Sequence, residues 1–294
     1  MVELDTFFEE QTTKWELAAQ NHEKLKEVEL NSFSFHDFQV YVQHNPARIL
    51  STTAKTSTAP VYGEHCPLCE KYRNEQQKAI VYQNKYDIMV NPYPILEKHF
   101  TIAEKEHLKQ GLKARLGDIL ALAHDLGGYT IIYNGPGAGA SIPDHMHFQA
   151  VPQDILPVER EIKQVEKEEL FNEDSNRLYS LKDYLRTCLV LESSSADWLI
   201  YFVEKKLWKE YASVMEFEGE WMLNAICFFK EGSWTLIFFP RKAHRPSQFF
   251  LGEGKILISP GTIDMSGMFI TPRREDYNKM NKELIEEIYT QITL

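Results

Sequence analysis

The sequence is short of the features that mark membrane, secreted and nucleic-acid-binding proteins. It has four cysteines in 294 residues and no apolar run of membrane-spanning length. Lysine and arginine number 32 against 43 aspartate and glutamate, a net charge of -11, and a surface that binds a polyanion needs the opposite balance. The first residues, MVELDTFFEEQ, hold no basic region followed by an apolar core. We therefore expect a cytoplasmic protein with neither a nucleic-acid nor a membrane partner.

Periodicity predicts helices and strands in alternation. Apolar residues recur at helical spacing over 4–28 and again over 105–123, where two glycines end the pattern. Runs of β-branched and aromatic residues predict strands, with a hairpin formed by 221–229 and 234–239. The Glu- and Lys-rich stretch 157–177 is typical of a solvated connection, with a helix as the alternative, and 275–292 predicts a terminal helix. The predicted fold class is α+β, with antiparallel sheets flanked by helices.

The strongest chemical signal lies between residues 129 and 150. A predicted strand, YTIIY, leads into the loop NGPGAGAS, whose glycines permit positive φ and leave N–H groups free to hold an anion. His145, His147 and Gln149 then alternate with apolar residues, so one face of the next strand carries two imidazoles and a carboxamide. A single strand histidine is more often a core residue, but two behind a glycine loop favour function. A neutral imidazole can attack phosphorus, and a glutamine can donate to phosphoryl oxygens without supplying a proton.

Cys66 and Cys69 form a C-x-x-C pair, which on its own is equally compatible with redox chemistry and with simple burial. A second pattern concerns the whole chain. A hairpin followed by a proline-containing turn and a histidine occurs at 87–99 and again at 234–244. This repetition indicates two related halves, which we place at 1–156 and 157–294, and the second half has no H-x-H-x-Q.

The stretch from Gly139 to Gln149 resembles the transferase branch of the histidine-triad superfamily, in which the third histidine of H-x-H-x-H is glutamine. That branch includes galactose-1-phosphate uridylyltransferase, diadenosine tetraphosphate phosphorylase and the GDP-hexose phosphorylases. The resemblance is strong over residues 66–152 and thin elsewhere. It implies two histidine-triad-like halves, a catalytic one at 1–156 and a degenerate one at 157–294.

The same resemblance implies roles for individual residues. His147 takes the place of the nucleophile that forms a covalent nucleotidyl-histidine, and Gln149 steadies the bound phosphoryl group. The implied substrate-binding positions are Asn134, Gly137, Gly139, Ser141 and Arg48. Arg48 follows an Asn-Pro pair like the one that precedes an anion-binding stretch in the uridylyltransferases, although a solvated surface arginine is an equal alternative.

The uridylyltransferases also have a zinc site built from a C-x-x-C and two histidines. Carried onto this chain, the ligands are Cys66, Cys69, His107 and His145, with His99 as the alternative to His107. Two thiolates and two imidazoles suit a closed, structural Zn²⁺ site. The cofactor prediction is therefore structural zinc.

The predicted function is a nucleotidyltransferase or phosphorylase that acts on a nucleotide-sugar or a dinucleoside polyphosphate, with phosphate or a sugar phosphate as acceptor. Two alternatives stay open: a nucleotide hydrolase of the same superfamily, against which the missing third histidine counts, and a non-catalytic nucleotide-binding protein. The base, the sugar, the acceptor, the role of the second half and the oligomeric state are not given by the sequence.

Overall fold

Alternating apolar runs build an extended antiparallel sheet in the computed structural model, which describes residues 4–52, 65–210 and 216–294. The strands in these ranges are β1 Glu29–Ser34, β2 Gln39–His44, β3 Ile80–Tyr82, β4 Tyr86–Val90, β5 Phe100–Glu104, β6 Tyr129–Asn134, β7 His147–Pro152, β8 Lys167–Glu173, β9 Asn176–Leu181, β10 Leu189–Ser193, β11 Glu216–Phe217, β12 Glu220–Trp221, β13 Leu223–Lys230, β14 Ser233–Pro240 and β15 Met268–Thr271.

Ten of these strands form one sheet, in the order β3-β4-β5-β7-β6-β13-β14-β10-β9-β8. Counted inwards from one edge, five strands follow in the order β3, β4, β5, β7, β6; counted inwards from the other edge, five follow in the order β8, β9, β10, β14, β13. In both sets the fifth strand along the chain thus lies between the third and the fourth. The two sets meet where β6 pairs with β13. A smaller sheet, β1-β2-β15, joins the first two strands of the chain to the last one, because β15 pairs in parallel with β2. Its apolar side chains share a core with those of β6, β13 and β14 in the large sheet.

Helices cover both faces of the large sheet. One core contains Phe148 and Ala150 from the apolar side of β7, Met146 just before that strand, and the helix between β5 and β6. The opposite core contains β2, β15 and the C-terminal helix. The predicted α+β class, with antiparallel sheets flanked by helices, is confirmed. The α-helices that lie wholly within the described ranges are α1 Leu4–Lys14, α2 Glu16–Lys24, α3 Ile49–Thr52, α4 Leu116–Asp125, α5 Pro157–Glu161, α6 Ala196–Phe202, α7 Thr262–Met265, α8 Arg274–Lys279 and α9 Lys282–Ile292.

The helix predicted over 105–123 is wrong in its first half, since α4 begins only at Leu116. The preceding residues hydrogen-bond outside the segment instead of along a helix. The Gln110 N–H donates to the Pro143 carbonyl (3.0 Å), and the Leu108 carbonyl accepts from Met146 N–H (2.6 Å). Tertiary partners therefore override the apolar spacing.

The stretch 157–177 is helical only at its start and is otherwise not a simple connection. It contains α5, the strand β8 and the beginning of β9. β8 is the outermost strand of the large sheet and is mostly exposed, so its Lys and Glu side chains face solvent on an edge strand. The predicted terminal helix is divided into α8 and α9, because the Asn281 side chain accepts from Leu284 N–H (2.8 Å) and caps a new helix.

No helix in the described ranges is long and apolar enough to cross a membrane.

Candidate active site and metal centre

His147 stands at the first position of β7, between β5 on one side and the end of β6 on the other. Its side chain is 5% exposed. The ring nitrogen Nδ1 lies 2.8 Å from the His145 carbonyl oxygen, which can only accept, so Nδ1 carries the proton. In the neutral ring Nε2 therefore carries the lone pair, and it has no hydrogen-bond partner among the described residues.

Burial lowers the pKa of His147 to about 4, because the charged ring would lose its hydration, and the nearby His145 lowers this pKa further. The hydrogen bond to the His145 carbonyl acts in the opposite direction and does not offset the burial. At neutral pH the ring is consequently uncharged, with one nitrogen holding a proton and the other available as a nucleophile.

Gln149 lies two residues further on the same face of β7, and a buried histidine holds its side chain. His99 Nε2 donates to Gln149 Oε1 at 2.6 Å, while His99 Nδ1 accepts from the Ile95 N–H at 3.3 Å. These two bonds fix both the tautomer of His99 and the orientation of the carboxamide. The NH₂ group of Gln149 is left without a partner in the described chain and is the donor that the residue can offer to a ligand.

A cavity of about 60 Å³ opens beside Gln149. Its walls come from Arg48, from the loop residues Gly139, Ala140 and Ser141, and from a segment of the second half that includes Arg245 and Asp264. The backbone N–H groups of the three loop residues donate no hydrogen bond in the described ranges. The cavity is therefore small, polar and rich in donors.

The side chain of Asn134, like that of Gln149, is held by hydrogen bonds to its carboxamide oxygen. Its Oδ1 accepts from Thr262 N–H (2.7 Å) and from Asn224 Nδ2 (3.1 Å), and its NH₂ group makes no bond to another described residue. Two carboxamides thus have their oxygens fixed by the protein and their donors left over. Donors of this kind suit an anionic ligand.

Charged groups of both signs border the cavity. Burial lowers the pKa of Arg48 to about 10, which leaves it charged at neutral pH, and the nearby Asp264 favours that charge. Burial raises the pKa of Asp264 to about 6, although the N–H groups of Gly261 and Ile270 stabilise its carboxylate. Burial also lowers the pKa of His244 to about 3, with Arg245 beside it. The fixed positive charges are the two arginines.

The glycines of the loop are required for close packing. A Cβ on Gly139, where φ is +93°, would lie 2.5 Å from Gly261 Cα, and one on Gly135 would lie 2.6 Å from the Leu223 carbonyl oxygen. Gly137 does not line the cavity and faces the ring of Phe217 instead. Two of these glycines thus permit the first half to lie directly against the second.

Cys66, Cys69, His107 and His145 form a compact group whose ligand atoms lie within 4.8 Å of one another. Cys66 Sγ is 3.2 Å from His145 Nδ1, and Cys69 Sγ is 3.1 Å from His107 Nδ1. With Zn–S of about 2.3 Å and Zn–N of about 2.0 Å, the edge of a tetrahedral site measures about 3.5 Å. The group fits a four-coordinate metal ion.

Neighbouring groups orient the two imidazoles of this group. His145 Nε2 donates to the Glu104 carbonyl at 2.7 Å, which directs the lone pair of Nδ1 towards the thiols. Asp144 has both carboxylate oxygens buried without a hydrogen bond in the described chain, and one of them is 3.8 Å from His107 Nε2. His107, rather than His99, is the second histidine of the group, since His99 is bonded to Gln149.

The structure brings most of the predicted site residues together. Arg48, Asn134, Gly139, Ser141 and Gln149 line the cavity, whereas Gly137 and His147 do not. The roles assigned to these residues stay predictions. The second half contributes His244, Arg245, Ser259, Thr262 and Asp264 to the lining. His244 and Arg245 belong to the basic cluster 241–245, which the sequence offers as a candidate phosphate-binding surface, although a charge run is more often a solvated face. Sequence reasoning did not assign the other three to the site, because no local signal links them to a loop far away in sequence.

Sequence comparison gives one family match. A family model for a domain of unknown function (DUF4922) matches residues 7–152, which contain the metal group and the H-x-H-x-Q strand. A comparison with curated protein sequences finds no match.

Among solved structures, the chain is similar to the yeast Ap4A phosphorylase Apa2. The complex of that enzyme with AMP has a TM-score of 0.64 at 17% identity, and its complex with Ap4A has 0.63 at 16%. Both comparisons cover 100% of this chain and 98% of the yeast chain. A further structure of the yeast enzyme has a TM-score of 0.62 at 17% identity and covers 95% and 97%. The resemblance to the transferase branch is thereby confirmed at the level of the fold.

Proposed function

We propose that this protein is a nucleotidyltransferase that cleaves a dinucleoside polyphosphate, with His147 as nucleophile and phosphate as acceptor. The observation that carries the proposal is the state of the His147 ring: its proton is held on Nδ1 by a backbone carbonyl, and its pKa of about 4 keeps Nε2 unprotonated. The fold shared with a yeast Ap4A phosphorylase supports the substrate class. A nucleotide-sugar is the second substrate to be tested.

In the first step Nε2 of His147 donates its lone pair to the α-phosphorus and an N–P bond forms. The P–O bond to the leaving nucleotide breaks, and the leaving oxygen keeps the electron pair. No base is needed, because Nε2 has no proton to lose. The ring of the intermediate carries a positive charge, which the Nδ1–H bond to the His145 carbonyl stabilises.

In the second step an oxygen of inorganic phosphate attacks the same phosphorus. The N–P bond breaks, and its electrons return to Nε2, so His147 regains its neutral state. The product is a nucleoside diphosphate. Gln149 contributes an NH₂ donor to the phosphoryl oxygens and cannot deliver a proton to them.

The 60 Å³ cavity suits the phosphates that follow the reacting one. His147 is not part of its lining, but residues two apart in a strand are separated by about 7 Å along the chain. A polyphosphate that begins at His147 can therefore pass Gln149 and end between Arg48 and Arg245. Guanidinium groups bind phosphate oxygens in pairs, which favours this placement.

Zinc at the Cys66, Cys69, His107 and His145 group has a structural role in this proposal. Four protein ligands leave no open position for a substrate. A bound ion would fix His145, whose carbonyl oxygen orients the ring of His147. We also propose that the halves divide at 156/157, with the second half, through Arg245, His244 and Asp264, closing the site of the first.

Products of the purified protein with diadenosine tetraphosphate (Ap4A) test the proposal. We expect ADP and ATP to form in proportion to added phosphate, with little turnover in its absence. AMP formation without phosphate dependence would identify a hydrolase. Saturable binding with no product from Ap4A or from a panel of nucleotide-sugars would identify a binding protein. Either of these two results contradicts the proposal.

A further inference from the structure

Gln110 inserts its side chain between two strands at the site. Its Oε1 accepts from the His147 backbone N–H at 2.8 Å. Its Nε2 donates to the His147 carbonyl at 2.9 Å and to the Asn134 carbonyl at 2.8 Å. Gln110 is 3% exposed, and its carboxamide oxygen and NH₂ group are bonded to the backbone of the two strands rather than to water.

This insertion occurs where the pairing of β6 and β7 stops. The last paired residues are Ile132 and Gln149. Two positions further, the same register would place Asn134 opposite His147, yet the two are not paired. The amide of Gln110 occupies the position that a direct backbone hydrogen bond would take, and the strands diverge around it.

The chemistry of this position selects glutamine. It requires one acceptor and two donors in one plane, which is what a carboxamide offers. The partners also fix which end is oxygen, because an N–H faces one end and two carbonyls face the other. The backbone of Gln110 is itself held by the Pro143 carbonyl. The segment therefore connects His107 of the metal group to the strand that carries His147.

We propose that Gln110 is a positioning residue for transfer: it holds the backbones of His147 and Asn134 apart, so that the imidazole and the start of the glycine loop face one phosphoryl group. This inference rests on the proposed function. Gln110 touches neither the reacting atoms nor the cavity, and it acts through the main chain of the two residues. Sub-ångström placement of a nucleophile controls kcat more than it controls binding.

The test compares Gln110→Met with Gln153→Met. Methionine keeps the length of the side chain and removes its hydrogen bonds. Gln153 is a matched control, since its Nε2 also donates to two backbone carbonyls, those of Tyr129 and Phe229. It lies just after the last residue of β7, at the opposite end of that strand from His147. The measurements are kcat and KM for Ap4A with phosphate, and the amide hydrogen exchange of His147 by NMR.

For Gln110→Met we expect kcat to fall about 100-fold while KM changes less than about threefold. Exchange at the His147 amide should accelerate at least about tenfold, with exchange at the Gln153 amide unchanged. Gln153→Met should keep kcat within about twofold. If Gln110→Met does not fold, Gln110→Glu decides: it retains an acceptor for the His147 N–H and places an oxygen against two carbonyls, and the same fall in kcat is expected.

Unchanged kcat in the folded variant, or unchanged exchange at His147 in Gln110→Met, would overturn the inference. An equal loss of kcat in Gln153→Met would also overturn it, because the effect would then belong to general sheet stability. Should the wild-type protein turn over no Ap4A, the proposed function has failed, and the exchange rates alone then decide whether Gln110 positions His147.

Discussion

The two five-stranded halves of the large sheet have the same strand order but differ in the connection between their fourth and fifth strands. In the first half this connection is the loop 135–146, which carries the glycines, Ser141 and His145. In the second half it is the two-residue turn Glu231-Gly232, in which both residues have positive φ. The strand after the loop bears His147 and Gln149, whereas β14 is almost entirely apolar or aromatic.

In the proposed function the two halves have different roles: the shared sheet supplies position, and the chemistry resides in the loop that the first half has in place of a tight turn. The second half contributes from a different place, because the chain after β14 returns to the glycine loop and supplies Arg245 and Asp264 to the cavity. Gly139 lies so close to Gly261 that no larger residue fits between the halves.

The largest effect on activity is expected from removing the imidazole of His147, which has no counterpart in the second half. His147→Ala should lower kcat with Ap4A and phosphate by more than about 1000-fold, since the transfer loses its nucleophile. His36→Ala is the control, because that side chain is 87% exposed and pairs with its neighbour Asp37, outside the candidate site. Retention of a tenth of the activity by His147→Ala would show that His147 is not the nucleophile, and that the first half does not differ from the second in this way.

A second large effect concerns the cysteines, of which each half has two. We expect one zinc per chain by elemental analysis, loss of that zinc in Cys66→Ser, and a fall in the unfolding midpoint of more than about 5 °C. Cys227→Ala should retain the metal, because Cys227 is buried in the apolar core. Equal zinc content in the two variants would show that the first-half group is not the metal site.

A moderate effect should come from the second half. Arg245→Gln removes a charge from the cavity wall, and we expect KM for Ap4A to rise about tenfold with kcat within about threefold, a loss of about 1.4 kcal/mol in binding. Lys242→Gln serves as the control, since Lys242 is exposed and does not line the cavity. A fall in kcat with constant KM would assign Arg245 to the chemical step instead.

The smallest effect expected is that of pH between 5 and 7. The folded-state pKa of His147 lies near 4, below the ordinary value of 6.5, so the ring stays neutral across this range. The rate of the first transfer step, measured in a single turnover, should change less than about twofold and fall only as pH approaches 4. Asp264 in the cavity wall also titrates in this range, because its pKa is raised to about 6. A decline centred near pH 6.5 that persists in Asp264→Asn would therefore show an ordinary exposed imidazole at His147 and contradict the burial argument.

Local patterns predicted the parts of the structure that local interactions determine. The alternation after the glycine loop placed His147 and Gln149 on one face, and the order β6, loop, β7 follows directly from the sequence. The segment 105–115 was misassigned because its hydrogen bonds go to distant residues. The strand β8 was misassigned because its exposed Glu and Lys side chains are typical of a solvated segment, although it pairs with β9 across a short turn. The stretches used as evidence for repetition, 87–99 and 234–244, begin in the second strand of one half and in the fifth strand of the other, so they do not occupy equivalent positions.

The candidate site shows the same limit. Motif and resemblance located the metal group and the loop. The basic cluster that contains Arg245 is visible in the sequence, but a solvated face is the simpler interpretation of it. Asp264 and Gln110 could not be assigned to the site, since each joins it through contacts between distant parts of the chain. His99 was weighed only as a metal ligand. Its role as the partner of Gln149 depends on the pairing of β5 with β7, which composition does not reveal.

The most direct test of the account is to look for the covalent intermediate. The protein is mixed with Ap4A without phosphate, quenched in base, in which a phosphoramidate is stable, and digested for mass spectrometry. We expect the peptide that carries His147 to gain the mass of one AMP group, and to lose it when phosphate is added before the quench. An unmodified peptide under conditions in which the protein turns over Ap4A would contradict the assignment of His147 as nucleophile.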